Sequence, residues 1–243
     1  MKKKSIVISI FLVFLLSYIL MIDQKYSVFK FLLEQKSYDT IIVIDAGHGG
    51  FDPGKIGIND VLEKDINLSI AIKIKTLLEN HDIKVIMTRE EDKDLSSSSR
   101  SSQGMKKEDM NKRIKIINAS DAVIAISIHQ NSFTQGSARG AQVFYHEKSE
   151  KGRVLAEIIQ ECLKENINDG NHRLAKPNST YYLLKNSKCP LVIVECGFLS
   201  NRAEAELLCK DEYQNKIAWA VHLGVIEYLD DIYSKDKERL VKK

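Results

Sequence analysis

Four acidic or imidazole side chains stand in sequence contexts that could build a hydrolytic metal centre. His48 lies in a Gly-His-Gly turn after the apolar run 41–44, His129 follows the run 122–128, and Glu195 follows the run 191–194. In an open α/β sheet such residues gather at the carboxyl edge of the strands, where these folds bind ligands. Hydrolytic zinc is held by three protein ligands and keeps one open position. The pattern predicts one zinc ion per chain, bound by His48, Glu63 and His129, with Glu195 beside it.

Glu195 is predicted to be the catalytic group of this centre. A carboxylate at the end of an apolar strand costs several kcal/mol unless it is paired, coordinated or protonated. Beside a metal, it could act as general base for the attacking water and then as acid for the leaving amine. An ion pair with Arg89, Arg113 or Arg139 is the structural alternative. A nucleophilic Cys196 thiol is also considered, although strand alternation turns it to the opposite face from Glu195.

Each predicted ligand also has an ordinary structural interpretation. A Gly-His-Gly turn can be a plain loop, a glutamate at a helix start often only complements the helix dipole, and a histidine at a strand end is often structural. The conjunction of all three at one sheet edge favours the metal site. Asp65 and Asn67 are expected to cap the helix or support the ligands. Among the other histidines, His146 and His172 could reach the pocket.

The hydrophobic pattern predicts an α/β fold with strands and helices in alternation. Residues 66–74 alternate as a strand would, but the length of the segment and a stripe of Ile66, Ile70, Ile74 and Leu77 favour a helix. A Ser-rich loop is expected over 95–104. The predicted strands are 40–45, 83–88, 122–128, 141–146, 181–184 and 191–194. The predicted helices are 63–80, one ending near 119, 151–167, and a last one capped by Ser200 or Asn201 and reaching about 229.

Composition limits the class of protein. The chain has 243 residues, of which 44% are hydrophobic, enough for one α/β domain placed at 40–230. That segment has a net charge of −2, whereas residues 1–39 carry +3 and the polar tail 231–243 carries +2. A nearly neutral body argues against nucleic-acid binding, which requires clustered lysine and arginine. The four cysteines show no zinc-ribbon spacing and are expected to be free thiols, with disulfides left open.

Residues 1–22 read as a signal or anchor segment. Three lysines at positions 2–4 precede an apolar run at 5–22, near the lower limit for crossing a bilayer. Lysines on that side keep the amino end in the cytoplasm and place the rest outside it. No small-residue cleavage pattern follows, so retention as a membrane anchor is favoured over cleavage of a signal peptide. Residues 23–39 are expected to be a spacer.

Four segments resemble one enzyme family in order and local detail. VIDAGHGG at 43–50, EKDINL at 63–68, SIHQNS at 127–132 and VECGFLSN at 194–201 are similar to the zinc-dependent N-acetylmuramoyl-L-alanine amidases, over about residues 40–229. The resemblance implies a mixed, mainly parallel sheet of about six strands between helices, and cleavage of the amide between the lactyl group of N-acetylmuramic acid and L-alanine in peptidoglycan. By the same resemblance, His48, Glu63 and His129 are the zinc ligands and Glu195 is the catalytic glutamate. Arg89, Arg113 and Asn131 match positions near the site in that family. The sequence is consistent with two roles for them, contact with the substrate and support of the loops.

The expected organisation, an anchor followed by one catalytic domain, is typical of one group within that family. It is similar to the germination-specific amidases of the spore cortex, which remove peptides so that a separate deacetylase can form muramic δ-lactam. The expected partners are peptidoglycan, the membrane through an uncleaved leader, and an accessory protein. The Ser-rich segment 95–104 departs from the family pattern and is interpreted as a solvated insertion or a rim that shapes access. A wall-binding protein without turnover and a zinc peptidase acting within the stem peptide are the alternatives.

Overall fold

Six strands form one mixed sheet in the computed structural model, which describes residues 40–97 and 101–241. The strand order is β2-β1-β3-β6-β4-β5, and every neighbouring pair is parallel except β4 with β6. This confirms the predicted single α/β domain with a mainly parallel sheet. The strands are β1 Ile41–Ala46, β2 Lys84–Met87, β3 Ile124–Asn131, β4 Gln142–His146, β5 Lys176–Asn178 and β6 Leu191–Phe198.

Helices cover both faces of this sheet, which explains why the central strands β1, β3 and β6 each begin with an apolar run, at 41–44, 124–126 and 191–194. Helices α2 and α4 pack on a core that includes Val43, Ala125 and Ile193. The strand residues between these point to the other face, where α1, α3 and α6 pack together. The helices are α1 Glu63–Glu79, α2 Ser102–Ala119, α3 Glu150–Ile167, α4 Tyr182–Asn186, α5 Arg202–Leu208 and α6 Asp211–Val241.

Helix α1 resolves the ambiguous segment in favour of the helix. Ile66, Ile70, Ile74 and Leu78 are buried, and their spacing of four places them along one helix face. The buried leucine is Leu78 and not the predicted Leu77. The helix begins at Glu63, so this carboxylate lies at the end of the helix that faces the carboxyl edge of β1.

The predicted strand 181–184 is wrong. Tyr182–Asn186 is a short helix, in which Lys185 N donates to the carbonyl of Tyr181 and Ser187 N donates to the carbonyl of Leu183, both at 3.0 Å. The side chain of Asn178 accepts hydrogen bonds from the backbone of Thr180 and Tyr181 and turns the chain into this helix. The sixth strand is instead β5, a short edge strand that contains Pro177.

The last predicted helix is two helices, α5 and α6. Asn201 caps α5, with its side-chain oxygen accepting from Glu204 N at 3.2 Å. Helix α6 continues to Val241, so the predicted polar tail is largely helical, since no glycine or proline stops propagation after Gly224. Likewise, residues 102–104 of the predicted Ser-rich loop belong to α2, and residues 98–100 lie outside the described residues.

The leader and spacer, residues 1–39, also lie outside the described residues, and the division of the chain at 22, 39 and 230 stays a prediction. Within the described ranges, none of the helices has both the length and the apolar character needed to cross a bilayer. Cys162, Cys189, Cys196 and Cys209 are free thiols, as expected.

Candidate active site

The three predicted metal ligands converge at the carboxyl edge of the sheet. Glu63 Oε1 lies 3.2 Å from His48 Nε2 and 3.0 Å from His129 Nδ1. One candidate ligand atom from each residue lies within 4.8 Å of the other two. Two imidazole nitrogens and a carboxylate oxygen at one point are a donor set that suits zinc.

Each of the four predicted site residues is placed by a different element. His48 has φ of 62° in the turn after β1, and Glu63 is the first residue of α1. His129 and Glu195 were predicted to follow their strands, but β3 and β6 extend past them and pair them in register. This register sets the candidate catalytic carboxylate directly beside a candidate ligand.

Glu63 is the best-supported carboxylate of the site and is 2% exposed. Its Oε2 accepts from Lys55 N at 2.8 Å, and its Oε1 accepts from Gln130 N at 3.1 Å and Asn67 Nδ2 at 3.3 Å. Burial opposes ionisation, but the hydrogen bonds and charges of His129 and His48 outweigh it and hold the pKa of Glu63 well below its usual range. The predicted supporting role of Asn67 is therefore seen, whereas Asp65 is exposed.

Asp52 was not identified from the sequence, yet it orients His48. Its Oδ2 lies 2.9 Å from His48 Nδ1 and 3.2 Å from Lys106 Nζ. Carboxylates that hold the far nitrogen of a ligating histidine are common around metals. Burial would lower the pKa of His48, but the hydrogen bonds and charges of Asp52 and Glu63 raise it to about 9. His48 is therefore held by a carboxylate at each ring nitrogen. The sequence signal for Asp52 was the Asp-Pro-Gly sequence at 52–54.

Glu195 has no ion-pair partner within the described part of the chain. It is 9% exposed, and its Oε2 is buried without a hydrogen-bond partner among those residues. Burial, reinforced by Glu63 and opposed by His129, raises the pKa of Glu195 to about 7. It lines a cavity of about 330 Å³ together with His48 and His129. A carboxyl whose pKa lies near neutrality therefore lines the same cavity as two of the predicted ligands.

The arginines proposed as alternative partners of Glu195 are engaged elsewhere. Arg89 donates to the carbonyls of Ala46 and Gly47 at 2.9 and 3.0 Å, so it supports the loop that carries His48. Arg139 donates to the carbonyl of Asp169. Neither Arg89 nor Arg139 therefore forms the salt bridge with Glu195 that was considered as the structural alternative.

Arg113 is a loop support beneath the site. It is 1% exposed, and it donates to Asp45 at 2.7 Å, Asp109 at 2.6 Å and the carbonyl of His48 at 2.6 Å. Burial would raise the pKa of Asp45, but Arg113 and two hydroxyl donors outweigh it and lower the pKa to about 2. Asn131, the third residue left open, uses its side-chain oxygen to accept from Ser132 N at 2.8 Å.

Replacing this arginine should destabilise the fold. Arg113→Met leaves Asp45 and Asp109 buried with less compensation, which we expect to cost about 3–5 kcal/mol at pH 7. The folded-state pKa of Asp45 lies below its unfolded value of 3.8, so this group stabilises the parent above pH 3.8 and ceases to as pH falls toward 2. In the variant the Asp45 carboxyl is protonated more readily, so the difference in unfolding free energy between parent and variant should shrink as the pH falls from 7 to 4. Urea unfolding of both proteins at the two pH values measures this, and a pH-independent deficit would contradict it.

Other sequence-based expectations for the site are not met. His146 and His172 line cavities separate from that of Glu195. Cys196 is fully buried, and burial raises the pKa of its thiol well above the usual range, so it is unsuited to nucleophilic attack. Conversely, Tyr181 and Tyr182 line the cavity although they were not among the predicted site residues, and their segment, which also resembles the amidase family, was predicted as a strand.

Gly47 leaves space for the ring of His129. A Cβ at position 47 would lie 2.3 Å from His129 Cε1 and Nε2, closer than side chains can approach. We expect Gly47→Ala to displace this imidazole and lower zinc affinity by about 10- to 100-fold, a loss typical of disturbed ligand orientation. Titration with a competing chelator measures this. Gly136→Ala, whose added Cβ would meet one backbone oxygen at 3.3 Å, is the matched control; equal affinities in the two variants would contradict the prediction.

Comparison with known proteins agrees with this geometry. A family profile described as N-acetylmuramoyl-L-alanine amidase matches residues 42–227. The germination-specific N-acetylmuramoyl-L-alanine amidase of Bacillus subtilis is 39% identical over 192 residues, which cover 79% of this chain and 80% of that protein.

Solved structures show the same likeness. The CwlD amidase from Clostridioides difficile, solved in complex with the GerS lipoprotein, has a TM-score of 0.77 and 41% identity, covering 79% of this chain and 99% of that one. The catalytic domain of CwlV from Bacillus (Paenibacillus) polymyxa has a TM-score of 0.68 and 26% identity, covering 79% and 98%. Because the family profile matches residues 42–227 and the Bacillus subtilis amidase is 39% identical, the chain belongs to the N-acetylmuramoyl-L-alanine amidase family and is an amidase.

Proposed function

We propose that this amidase is zinc-dependent, binding one ion through His48, Glu63 and His129, and that Glu195 transfers the protons of the reaction. The observation that carries the proposal is the convergence of His48 Nε2 and His129 Nδ1 on Glu63 Oε1 beside a buried, unpartnered Glu195 Oε2. The bond cleaved joins the lactyl group of N-acetylmuramic acid to L-alanine of the stem peptide.

The residues present suit the ion. Both imidazoles are partly buried and supply nitrogen, while Glu63 supplies a charged oxygen already held by backbone amides. When bound, zinc supplies a Lewis acid that activates water and stabilises negative charge on the scissile carbonyl oxygen. Asp52 keeps His48 oriented through Nδ1 and leaves Nε2 for the ion.

Glu195 would transfer protons between the attacking water and the leaving amine. Its burial keeps the pKa of the carboxyl near neutrality, so it can accept a proton from the attacking water and return it to the leaving amine. A bound cation nearby would lower this pKa and favour the ionised, accepting form at the start of the reaction. Tyr181, Met110 and Leu183 line the same cavity, and Glu195 is 9% exposed, so bulk water has little access to its carboxyl.

The biological role that we propose is peptide removal in the spore cortex, leading to muramic δ-lactam through a separate deacetylase. The support is the likeness to the germination-specific amidase of Bacillus subtilis. The body would act outside the cytoplasm, held at the membrane or released to the wall or the forespore intermembrane space, as predicted from the leader. A lipoprotein accompanies the CwlD amidase in its structure, and we propose an accessory protein here too.

Product analysis tests the proposed reaction. Purified protein is incubated with vegetative and with cortex peptidoglycan while bound zinc is quantified on the same preparation. We expect mass spectrometry to find intact stem peptides beginning with L-alanine, preferentially from cortex, and chelation to abolish their release. Cleavage within the stem would indicate a zinc peptidase, and binding without products at full zinc occupancy would indicate a wall-binding protein or a missing partner.

A further inference from the structure

A second cavity, of about 480 Å³, is lined by Arg139 and Arg173 with Asn171 and His172 in the same loop region. Within the described part of the chain, both guanidinium groups donate to neutral oxygens. Arg139 donates to the carbonyl of Asp169, and Arg173 donates to the carbonyl of Arg139 and the amide oxygen of Gln142. The positive charge of this cavity is therefore not used in an ion pair among these residues.

Arg173 is held in a fixed position. Its Nε lies 2.7 Å from Arg139 O, and its Nη1 lies 3.1 Å from Gln142 Oε1. Its Cζ lies 4.7 Å from the centroid of the Phe198 ring, a distance that permits a cation–π interaction. A guanidinium that is ordered before binding loses less side-chain entropy when a ligand arrives.

The neighbouring acidic side chains are occupied by backbone amides. Glu204 accepts from Gly140 N at 2.8 Å and Phe198 N at 2.9 Å. Asp169 Oδ1 accepts from Asn171 N at 3.0 Å. These bonds hold both carboxylates out of an ion pair with Arg173, and the planar fork of arginine matches an external carboxylate.

This cavity is linked to Glu195 through one side chain. Gln142 pairs in register with Glu195 across β4 and β6, and side chains directly opposite in an antiparallel pair lie on the same face. Paired Cα atoms are about 5 Å apart, and Arg173 lies one hydrogen bond beyond Gln142. Two residues of extended peptide span about 7 Å, and a glutamate side chain adds to this reach, so an acidic group of a peptide leaving at Glu195 can come within hydrogen-bond distance of Arg173.

We propose that Arg139 and Arg173 bind a carboxylate of the released stem peptide and so select stems with a free acidic group. The inference rests on the proposed role of Glu195 as the acid for the leaving amine, because Gln142 pairs with Glu195 and lies on the same face of the sheet. It extends the function by assigning a specificity site outside the cavity that contains Glu195.

Binding of the product peptide tests this without turnover. The full-length chain is titrated with L-alanyl-glutamate and with the same dipeptide whose carboxylates are amidated. We expect the parent to bind the free acid about tenfold more tightly, in line with a charge-assisted hydrogen bond, and Arg173→Gln to reduce that preference to about twofold or less. Arg173→Lys should retain part of it, and Lys216→Gln, which removes an exposed cation from α6, should retain all of it.

Three results would overturn the assignment. One is equal binding of the two peptides by the parent, and another is an unchanged preference in Arg173→Gln. The third is displacement of the peptide by inorganic phosphate at equal concentration, which would indicate a general anion site. Because these are binding measurements, a preference that persists in a protein without amidase turnover would count against the proposed mechanism and not against the subsite.

With muramoyl peptide substrates, the ratio of kcat/KM for free over amidated stems should fall about tenfold in Arg173→Gln. The fall should come mainly from KM on the free acid. An equal loss on both substrates would show that Arg173 only supports Gln142 and the fold, and it would contradict the subsite.

Discussion

Glu195→Gln is expected to lower kcat for release of stem peptides by about 10³-fold or more while zinc remains bound. The substitution keeps the shape of the side chain and removes its ability to exchange a proton, and general acid–base groups contribute about 10²- to 10⁴-fold. Since this residue would serve as both base and acid, the loss should lie at the upper end of that range. Kinetics on purified peptidoglycan fragments, with metal analysis of the same samples, measure it.

A stability measurement distinguishes the loss of kcat in Glu195→Gln from a loss caused by unfolding. Burial raises the folded-state pKa of Glu195 to about 7 from 4.5, so its ionisation costs folding free energy that is absent below pH 4.5 and grows as pH rises toward 7. The neutral amide escapes this cost, and the unfolding midpoint of the metal-free variant at pH 8 should not fall below that of the parent.

Cys196→Ala is the matched control for this variant. Cys196 is adjacent in sequence but is fully buried and absent from the lining of the cavity of Glu195, so activity should stay within about threefold of the parent, because only packing is affected. Full activity in Glu195→Gln together with loss of activity in Cys196→Ala would reverse the assignment and restore the thiol as nucleophile.

Glu63→Gln is expected to abolish stoichiometric zinc binding and, with it, activity. The carboxylate is the charged member of the predicted ligand set, and both of its oxygens accept backbone N–H groups. An amide must turn its NH₂ group toward one of those donors and loses the negative charge that attracts the cation. Affinity should fall by more than about 100-fold, the loss that disturbing an outer partner of a metal ligand can already cause.

Asp65→Asn controls for the loss of a carboxylate in the same helical turn. Asp65 is exposed and lies two positions beyond Glu63, so its substitution should leave zinc content at the parental level. Zinc content measured by plasma emission after dialysis, with circular dichroism to confirm folding, compares the two variants. Retention of one zinc per chain in Glu63→Gln would remove this residue from the ligand set.

Local sequence patterns predicted most of the sheet and the main helices. Strands β1, β3 and β6 begin with apolar runs at 41–44, 124–126 and 191–194 because helices cover both faces of the sheet, and this pattern is visible in sequence. The segment 181–184 was misassigned because four residues show no reliable period, and the short strand Lys176–Asn178 is defined only by its pairing with β4. The outcome at such short segments depends on contacts distant in sequence.

The sequence by itself determined the candidate chemistry, namely which two histidines and two glutamates come after an apolar run or begin a helix, because residue type and hydrophobic period are local properties. Only the tertiary structure decided what surrounds them. It placed Asp52 on His48, assigned Arg113 to Asp45 and Asp109, and left Glu195 unpaired in the described chain. These outcomes require strand register and packing between residues far apart in the chain, and so does the cavity of Arg139 and Arg173 beside Gln142.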